Sequence, residues 1–259
     1  MRRLNVSQIR SLLAEAPAGK LPDLIESLYA DPRAGVVSAV AAAERRLSRE
    51  RAELARLDRL NELEAALRAR GYRTVAGIDE VGRGALAGPV TACAVVLAPD
   101  TRIDRLDDSK RLTPARREEL AERIRSVAIC WHVAHIEPRE IDATGIGNAT
   151  RTAMRRAVAG LSVTPDHVVV DGLEVRIGPP ETAIVGGDSK VASIAAASIL
   201  AKVTRDALMR AYDLEYPGYG LAVNKGYGTT DHVSAIMSQG PCPIHRRSFA
   251  PCSETLRLF

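Results

Sequence analysis

The chain has 259 residues, 46% of them apolar, and a formal charge of +4. That length allows one large core, or a domain with an extension, and the small positive charge permits a basic binding surface without requiring one. Cys93, Cys130, Cys242 and Cys252 form no CxxC pair, which argues against a zinc site or a redox motif and for inert thiols in a reducing cytosol. Met1-Arg2-Arg3 leads into no apolar signal core, and no stretch is long and apolar enough to span a bilayer. A cytoplasmic location without a membrane partner is therefore expected.

Residues 1–72 read as helical throughout. Ser7 is a candidate cap for a short helix carrying Ile9, Leu12 and Leu13. Pro17, Gly19 and Pro22 interrupt it, and Leu21, Leu24, Ile25 and Leu28 suit a second short helix. Asp31-Pro32 has the form of an N-cap followed by proline at the first helical position. The helix it would open carries Val40, Ala43, Leu47, Leu54, Leu57 and Leu67 as a broken apolar stripe, and Gly71 would end it. With 13 Arg and Lys against 10 Asp and Glu, the segment has a net charge of +3. A packed helical hairpin, an auxiliary nucleic-acid contact and a coiled coil all compete here. The stripe is not a sustained heptad, which disfavours the coiled coil.

From Tyr72 the texture changes. Thr74–Ile78 and Val90–Leu97 are strand candidates joined around a glycine-rich loop. Asp107-Asp108-Ser109-Lys110 forms a polar connector, Thr113-Pro114 opens a helix to about Ile124, and Val127–Ile136 reads as a strand. His135, near that strand's end, is better explained by a hydrogen-bonded imidazole than by a metal ligand. A helical region follows Glu137-Pro138, with Gly145 and Gly147 expected to interrupt it. His167–Asp171 is a short apolar strand ending in a carboxylate before Gly172, and Ala183–Val185 is another strand, leading to Gly187-Asp188-Ser189-Lys190. Val191–Leu208 is the most secure helix, and its small residues suggest close packing on a sheet. A polar-aromatic bend is expected over Tyr212–Tyr219 and a flexible loop over Asn224–Thr230, then a helix over Asp231–Met237. The basic tail at His245-Arg246-Arg247 suits either phosphate contact or simple solvation.

Asp79, Glu80, Asp171 and Asp188 stand at strand ends or a helix start rather than in solvated charge runs. Their hard oxygens suit Mg²⁺ or Mn²⁺, which would relieve their mutual repulsion. Neighbouring side chains on a regular strand face opposite ways, so Asp79 and Glu80 share one site only if the strand ends there. Gly82 and Gly84 allow close approach of a ligand backbone, and Arg83 can meet phosphate through two hydrogen bonds. A glycosidase also uses two carboxylates, but the chain is poor in aromatic residues for stacking sugars.

Asp79-Glu80-Val81-Gly82-Arg83-Gly84, followed by Gly88-Pro89-Val90, resembles the signature of the type 2 ribonuclease H family, bacterial ribonuclease HII. The likeness continues through Asp108-Ser109-Lys110, Asp171-Gly172, Gly187-Asp188-Ser189-Lys190 and the run Ser193–Asp206. It ends with Lys225-Gly226-Tyr227-Gly228-Thr229 and His245-Arg246-Arg247-Ser248-Phe249, so it covers about residues 72–250. The resemblance implies an α/β fold, a ribonuclease H-like mixed β-sheet flanked by helices, over residues 73–259, with an N-terminal helical extension over residues 1–72. It implies a monomeric endonuclease acting on RNA–DNA hybrids and on duplex DNA containing ribonucleotides. Cleavage would fall on the 5′ side of the ribonucleotide and leave 3′-hydroxyl and 5′-phosphate ends. Asp79, Glu80, Asp171 and Asp188 would be the catalytic, metal-binding set for two Mg²⁺ or Mn²⁺ ions. Gly82, Arg83 and Gly84 would read the 2′-hydroxyl, Ser109 and Lys110 would approach a phosphate, and Tyr227 would pack on the sugar of the next deoxynucleotide. A metal-dependent DNA nuclease or resolvase is the nearest alternative. A nucleic-acid-binding module without turnover is another, although bare carboxylates would repel phosphate.

Overall fold

In the computed structural model residues 4–255 are described, and the chain divides into two compact units, Met1–Asp58 and Arg59–Phe259. The first contains α1 (Val6–Glu15), α2 (Leu21–Leu28) and the beginning of α3 (Ala34–Ala69). Asn5, not Ser7, caps α1, because Asn5 accepts from the Gln8 amide while the Gln8 side chain accepts from the Asn5 amide. This reciprocal pair satisfies two helix-end donors at once. Helix α3 starts at Ala34 rather than at Pro32, since Asp31 is turned to its neighbour Arg33. Ile9, Leu13, Leu21, Ile25, Val36, Val40 and Ala43 form a separate small core.

The second unit begins with the last turns of α3, which Gly71 terminates at φ +100°. Then follow β1 (Val75–Val81), β2 (Val90–Leu97), α4 (Pro114–Val127), β3 (Ala128–Ile136), α5 (Pro138–Thr144) and α6 (Ile146–Ala159). The chain continues through β4 (His167–Asp171), β5 (Glu181–Ile184), a 3-10 turn at Gly187–Ser189 and α7 (Ala192–Glu215). It finishes with α8 (Leu221–Asn224), α9 (Thr230–Gln239) and α10 (Cys252–Thr255). Gly145 alone separates α5 from α6, and Gly147 sits inside α6. Helix α7 continues past the expected stop and takes in Tyr212.

The strands form one five-stranded sheet in the order β3-β2-β1-β4-β5. The β3-β2-β1 half is antiparallel, while β1-β4 and β4-β5 are parallel. Strand side chains alternate between faces. Ile78, Val168 and Val170 join one large core with Met154, Ala157 and Val158 of α6. Val75 and Val169 face the other way and pack with Val191 and Ile194 at the start of α7, and with Leu67 of α3. Gly77 lets α7 lie against β1, because a Cβ there would overlap the backbone and hydroxyl of Ser193.

The N-terminus of α7 has no capping side chain of its own. Fully buried Glu64 of α3 supplies one, accepting from the Ser193 amide at 3.0 Å while paired with Arg68 at 3.2 Å. A carboxylate at a helix start satisfies an orphan N–H and complements the helix dipole. The end of α3 is therefore part of the unit that holds the sheet. A chain beginning at residue 59 should fold and melt well above one beginning at residue 73. The longer deletion removes the Glu64 cap, about 0.5–2 kcal/mol, and the burial of Leu67, about 1.5–3 kcal/mol. Equal melting temperatures for the two truncations would refute this division of the helix.

Candidate active site

Asp79 lies on the α7 face of β1, in line with Val75 and Gly77, and Asp171 lies on the same face of β4. Asp188 sits in the 3-10 turn that feeds α7, and the Gly187 amide ties that turn to Asp171 Oδ1 at 2.7 Å. One carboxylate oxygen from each of the three aspartates lies within 4.8 Å of the others. They are the one such group among the described residues. Three hard oxygens at this separation fit a divalent ion such as Mg²⁺ or Mn²⁺ better than zinc. The Lys110 ammonium, 2.9 Å from Asp188, supplies positive charge to the same cluster.

Glu80 is not in this group. The strand continues to Val81, so alternation sends Glu80 away from the face that carries Asp79. Its carboxylate instead meets Arg83 at 3.1 Å, although it still feels the charge of Asp171. Burial, then the Glu80 and Asp171 charges, drive Asp79 from the ordinary carboxylate range up to about 8, against the opposing hydrogen bond from Ser198. Burial also raises Glu80, partly offset by Arg83. Lys110 is raised by its bond to Asp188.

The Ser109 hydroxyl, expected to reach substrate, is buried and 2.9 Å from that of Ser198. Ionised Asp79 can only accept, so Ser198 donates to it and Ser109 donates to Ser198. Arg117 fixes the same connector through the Ser109 and Leu112 carbonyls at 2.8 and 2.9 Å. His135 is hydrogen-bonded to Thr91 at 2.8 Å.

The loop between β1 and β2 is shaped from behind. Arg205 and Arg246 are both fully buried, and among the described residues neither has an acidic partner in direct contact. Arg205 donates to the carbonyls of Pro89, Lys225 and Ala87 at 2.8–3.0 Å. Arg246 donates to those of Gly82, Arg83 and Gly88 at 2.6–3.1 Å. The backbones on either side complete the clasp. Leu86 donates to the Gly226 carbonyl, Arg246 donates to that of Leu86, and Ala85 bridges Tyr227. The expected basic tail is thus half interior, with His245 and Arg246 buried and Arg247 exposed. Burial and the nearby Arg205 charge pull Arg246 down to about 9.

Gly82 and Gly84 serve different needs. Gly82 has φ +89°, and a Cβ there would collide with the Arg205 guanidinium. Gly84 faces open space, with nothing within 4 Å of such a Cβ. Arg83 between them has 58% of its side chain exposed. Tyr227 is half-buried, with its ring 5.5 Å from the Arg205 guanidinium carbon. Lys202 pairs with Asp206 at 2.7 Å, and Lys190 donates to the Val185 carbonyl, so both have internal partners.

The sequence assigned no site role to Arg205, Ser198 or Arg117, and it set Arg246 against phosphate or solvent rather than behind the loop. One signal was present. Ile194, Ser198, Ala201 and Arg205 follow helical spacing along a buried face of α7. An arginine on such a stripe must find several acceptors.

The raised Asp79 pKa has a measurable consequence. The folded chain holds that proton more tightly than the unfolded chain. Ionised Asp79 therefore subtracts stability progressively from about pH 4, and fully above about pH 8. Without divalent ions, Asp79→Asn should melt higher than the parent at pH 8–9, by about 2–4 °C for each kcal/mol recovered. The gap should close near pH 4. A thermal melt series showing the variant less stable at pH 9 would contradict the assigned strain.

Two family models match the chain, Ribonuclease HII over residues 76–252 and Ribonuclease HII N-terminal domain over residues 5–68. The ribonuclease HII of Pelotomaculum thermopropionicum is 46% identical over 251 residues, covering 96% of this chain and 94% of that protein. That of Moorella thermoacetica is 52% identical over 198 residues, covering 76% and 96%. Among solved structures, the ribonuclease H2 of Pyrococcus horikoshii superposes with a TM-score of 0.62 at 26% identity, covering 72% of this chain and 98% of that one. The ribonuclease HII of Archaeoglobus fulgidus, from its complex with PCNA, gives 0.56 at 28% identity, covering 66% and 91%. With the sheet, the aspartate cluster and both family models in agreement along its length, the chain belongs to the ribonuclease HII family of endoribonucleases.

Proposed function

We propose that the protein hydrolyses the RNA strand of RNA–DNA hybrids and cuts duplex DNA at single embedded ribonucleotides. Cleavage falls on the 5′ side of the ribonucleotide and leaves 3′-hydroxyl and 5′-phosphate ends. The supporting observation is the position of the aspartate cluster beside a rigid loop with one open glycine and one exposed arginine. Asp79, Asp171 and Asp188 would hold Mg²⁺ or Mn²⁺, with Glu80 as the fourth carboxylate if two ions bind. When bound, such ions supply an activated water and neutralise the leaving oxygen.

The chain's own groups account for the rest. Asp79 is aimed by the Ser109–Ser198 pair and by the amide of Glu80, which donates to Oδ1 at 2.7 Å. Lys110 is three-quarters exposed and already beside Asp188, so its ammonium can turn to a substrate phosphate as the carboxylate charge is neutralised. Arg83 is held near the cluster by Glu80 and can meet a second phosphate. The open Gly84 side admits the strand, and loop backbone groups can pair with a 2′-hydroxyl, which both donates and accepts. Tyr227, across the Ala85 bridge, would pack on the next deoxyribose. Residues 1–58 would add an auxiliary nucleic-acid contact. The enzyme would work as a cytoplasmic monomer in ribonucleotide repair, a setting compatible with free thiols at all four cysteines. No helix among the described residues is long and apolar enough to cross a membrane.

Two measurements test the assignments. In single-turnover reactions on a duplex with one ribonucleotide, Asp79→Asn, Asp171→Asn and Asp188→Asn should each be slower by on the order of 10³-fold, about 4 kcal/mol. The parent should leave an all-DNA control intact; cutting of that control would favour a DNA nuclease, and near-normal cleavage by Asp79→Asn would reject its role. Separately, Tyr227→Ala should lower the rate ratio of single-ribonucleotide substrate to long hybrid by about 10-fold, the scale of one lost aromatic contact. Metal titrations should superimpose on the parent's. A proportional loss on both substrates caused by weaker metal binding would sink the sugar-reading role.

A further inference from the structure

Behind the Tyr227 loop lies a second polar chain that the chemistry above does not use. The Cys242 amide points at His245 Nδ1 at 3.0 Å, His245 Nε2 lies 3.1 Å from His232 Nε2, and His232 Nδ1 lies 2.9 Å from the Tyr227 carbonyl. Both imidazoles are buried. The two ends of this chain leave no freedom. An amide can only donate, so His245 Nδ1 carries its lone pair and the ring proton sits on Nε2. His232 Nε2 must then accept, which puts the His232 proton on Nδ1. There it meets a carbonyl that can only accept. Both rings are therefore neutral, each in one tautomer, and the hydrogen bonds all run one way, from Cys242 to Tyr227. A second proton on either ring would oppose two N–H groups within the chain.

The surroundings support neutral rings. Burial lowers His232, and burial together with His232 brings His245 down to about 4. Tyr219 packs on both imidazoles, with centroids 4.8 Å from His245 and 6.4 Å from His232. The Cys242 sulfur is 3.1 Å from His245 Nδ1. The Tyr227 carbonyl also accepts from the Thr229 amide at 2.8 Å, and Thr229 caps α9, the helix that carries His232. The turn bearing Tyr227 is thus clamped to α9 and, through the imidazoles, to the segment after it.

We propose that His232 and His245 are positioning residues for Tyr227, whose place over the sugar is set by a one-directional hydrogen-bond chain from the Cys242 amide. This rests on the sugar-reading role given to Tyr227 above. Neither histidine touches substrate or metal. Their effect is on discrimination between substrates, not on the hydrolytic step.

The experiment combines imidazole ¹H–¹⁵N spectra with cleavage rates on a single-ribonucleotide duplex and a long hybrid. The full-length parent should show the Nδ1–H tautomer for His232 and the Nε2–H tautomer for His245. His232→Leu, checked for folding by thermal melting, should lower the substrate ratio about 10-fold, like Tyr227→Ala. It should add nothing further in the Tyr227→Ala background. His232→Asn places an amide N–H near the lost Nδ1 but nothing within reach of His245, so it should restore the ratio only in part, to a value between those of His232→Leu and the parent. His245→Asn keeps an acceptor for Cys242 but cannot reach His232, and should lower the ratio even if His232→Leu fails to fold. The opposite tautomers, or a parental ratio in folded His232→Leu or His245→Asn while Tyr227→Ala lowers it, would overturn this proposal alone. A parental ratio in Tyr227→Ala itself would overturn the reading of Tyr227 and this proposal with it.

Discussion

Everything around the candidate site depends on two buried guanidiniums that bind main-chain carbonyls. A glycine-rich loop such as 82–89 has little intrinsic reason to hold one shape, because glycine loses more backbone freedom on ordering than other residues. Arg205 and Arg246 supply that reason. Each offers a planar fork of donors, and the loop presents carbonyls to both forks. Isolated charges are very costly to bury, and here several carbonyl dipoles replace the lost water at each one. The two arginines come from α7 and from the segment after α9, so the loop takes its shape only once those distant parts are in place. Lysine could supply the charge at either position but not the fork.

The carboxylates show the converse strategy. Asp79, Asp171 and Asp188 are brought together by the sheet, against their repulsion, and Asp79 and Asp188 are almost wholly buried. The fold accepts that cost because the backbone fixes their origins. Two sit on parallel neighbours of the sheet, and the third lies within a turn tied to Asp171. Lys110 and the Ser109–Ser198 pair soften the repulsion without removing it. A site of this kind is poised for a cation because the protein alone leaves its charge uncompensated. Glu80 stands apart for the simplest of reasons, the two-residue period of a strand.

The same logic extends to α7, which holds the site from beneath. Its first turns are almost entirely small and buried, and pass close to β1 because Gly77 has no side chain. Its N-terminus is capped from another helix by Glu64, a residue whose own sequence neighbourhood shows only a charged, solvated pattern. The helix thereby positions Ser198 toward Asp79 at one point and Arg205 toward the glycine loop two turns later.

The sequence by itself determined the alternation of strands and helices in the second unit and the glycine break between α5 and α6, and it marked four carboxylates, Asp79, Glu80, Asp171 and Asp188, as candidate hard-oxygen ligands without showing which of them converge. These are local properties, written in apolar period, glycine placement and strand-end acids. It also marked the 82–84 segment as special without separating its glycines. What only the tertiary structure decided were the partners. Gly82 is required by Arg205 and by a positive φ, whereas Gly84 borders open space. Ser109 turned inward to Ser198, Glu80 turned to Arg83, and a basic tail became an internal brace. The start of α1 at Asn5 rather than Ser7 depended on a reciprocal bond with Gln8, a match among several equally good capping residues. A side chain's type states how many donors and acceptors it brings. Which of them are used is set by groups 89 residues away for Ser109 and 164 for Arg246, and only the packed chain brings those groups within reach.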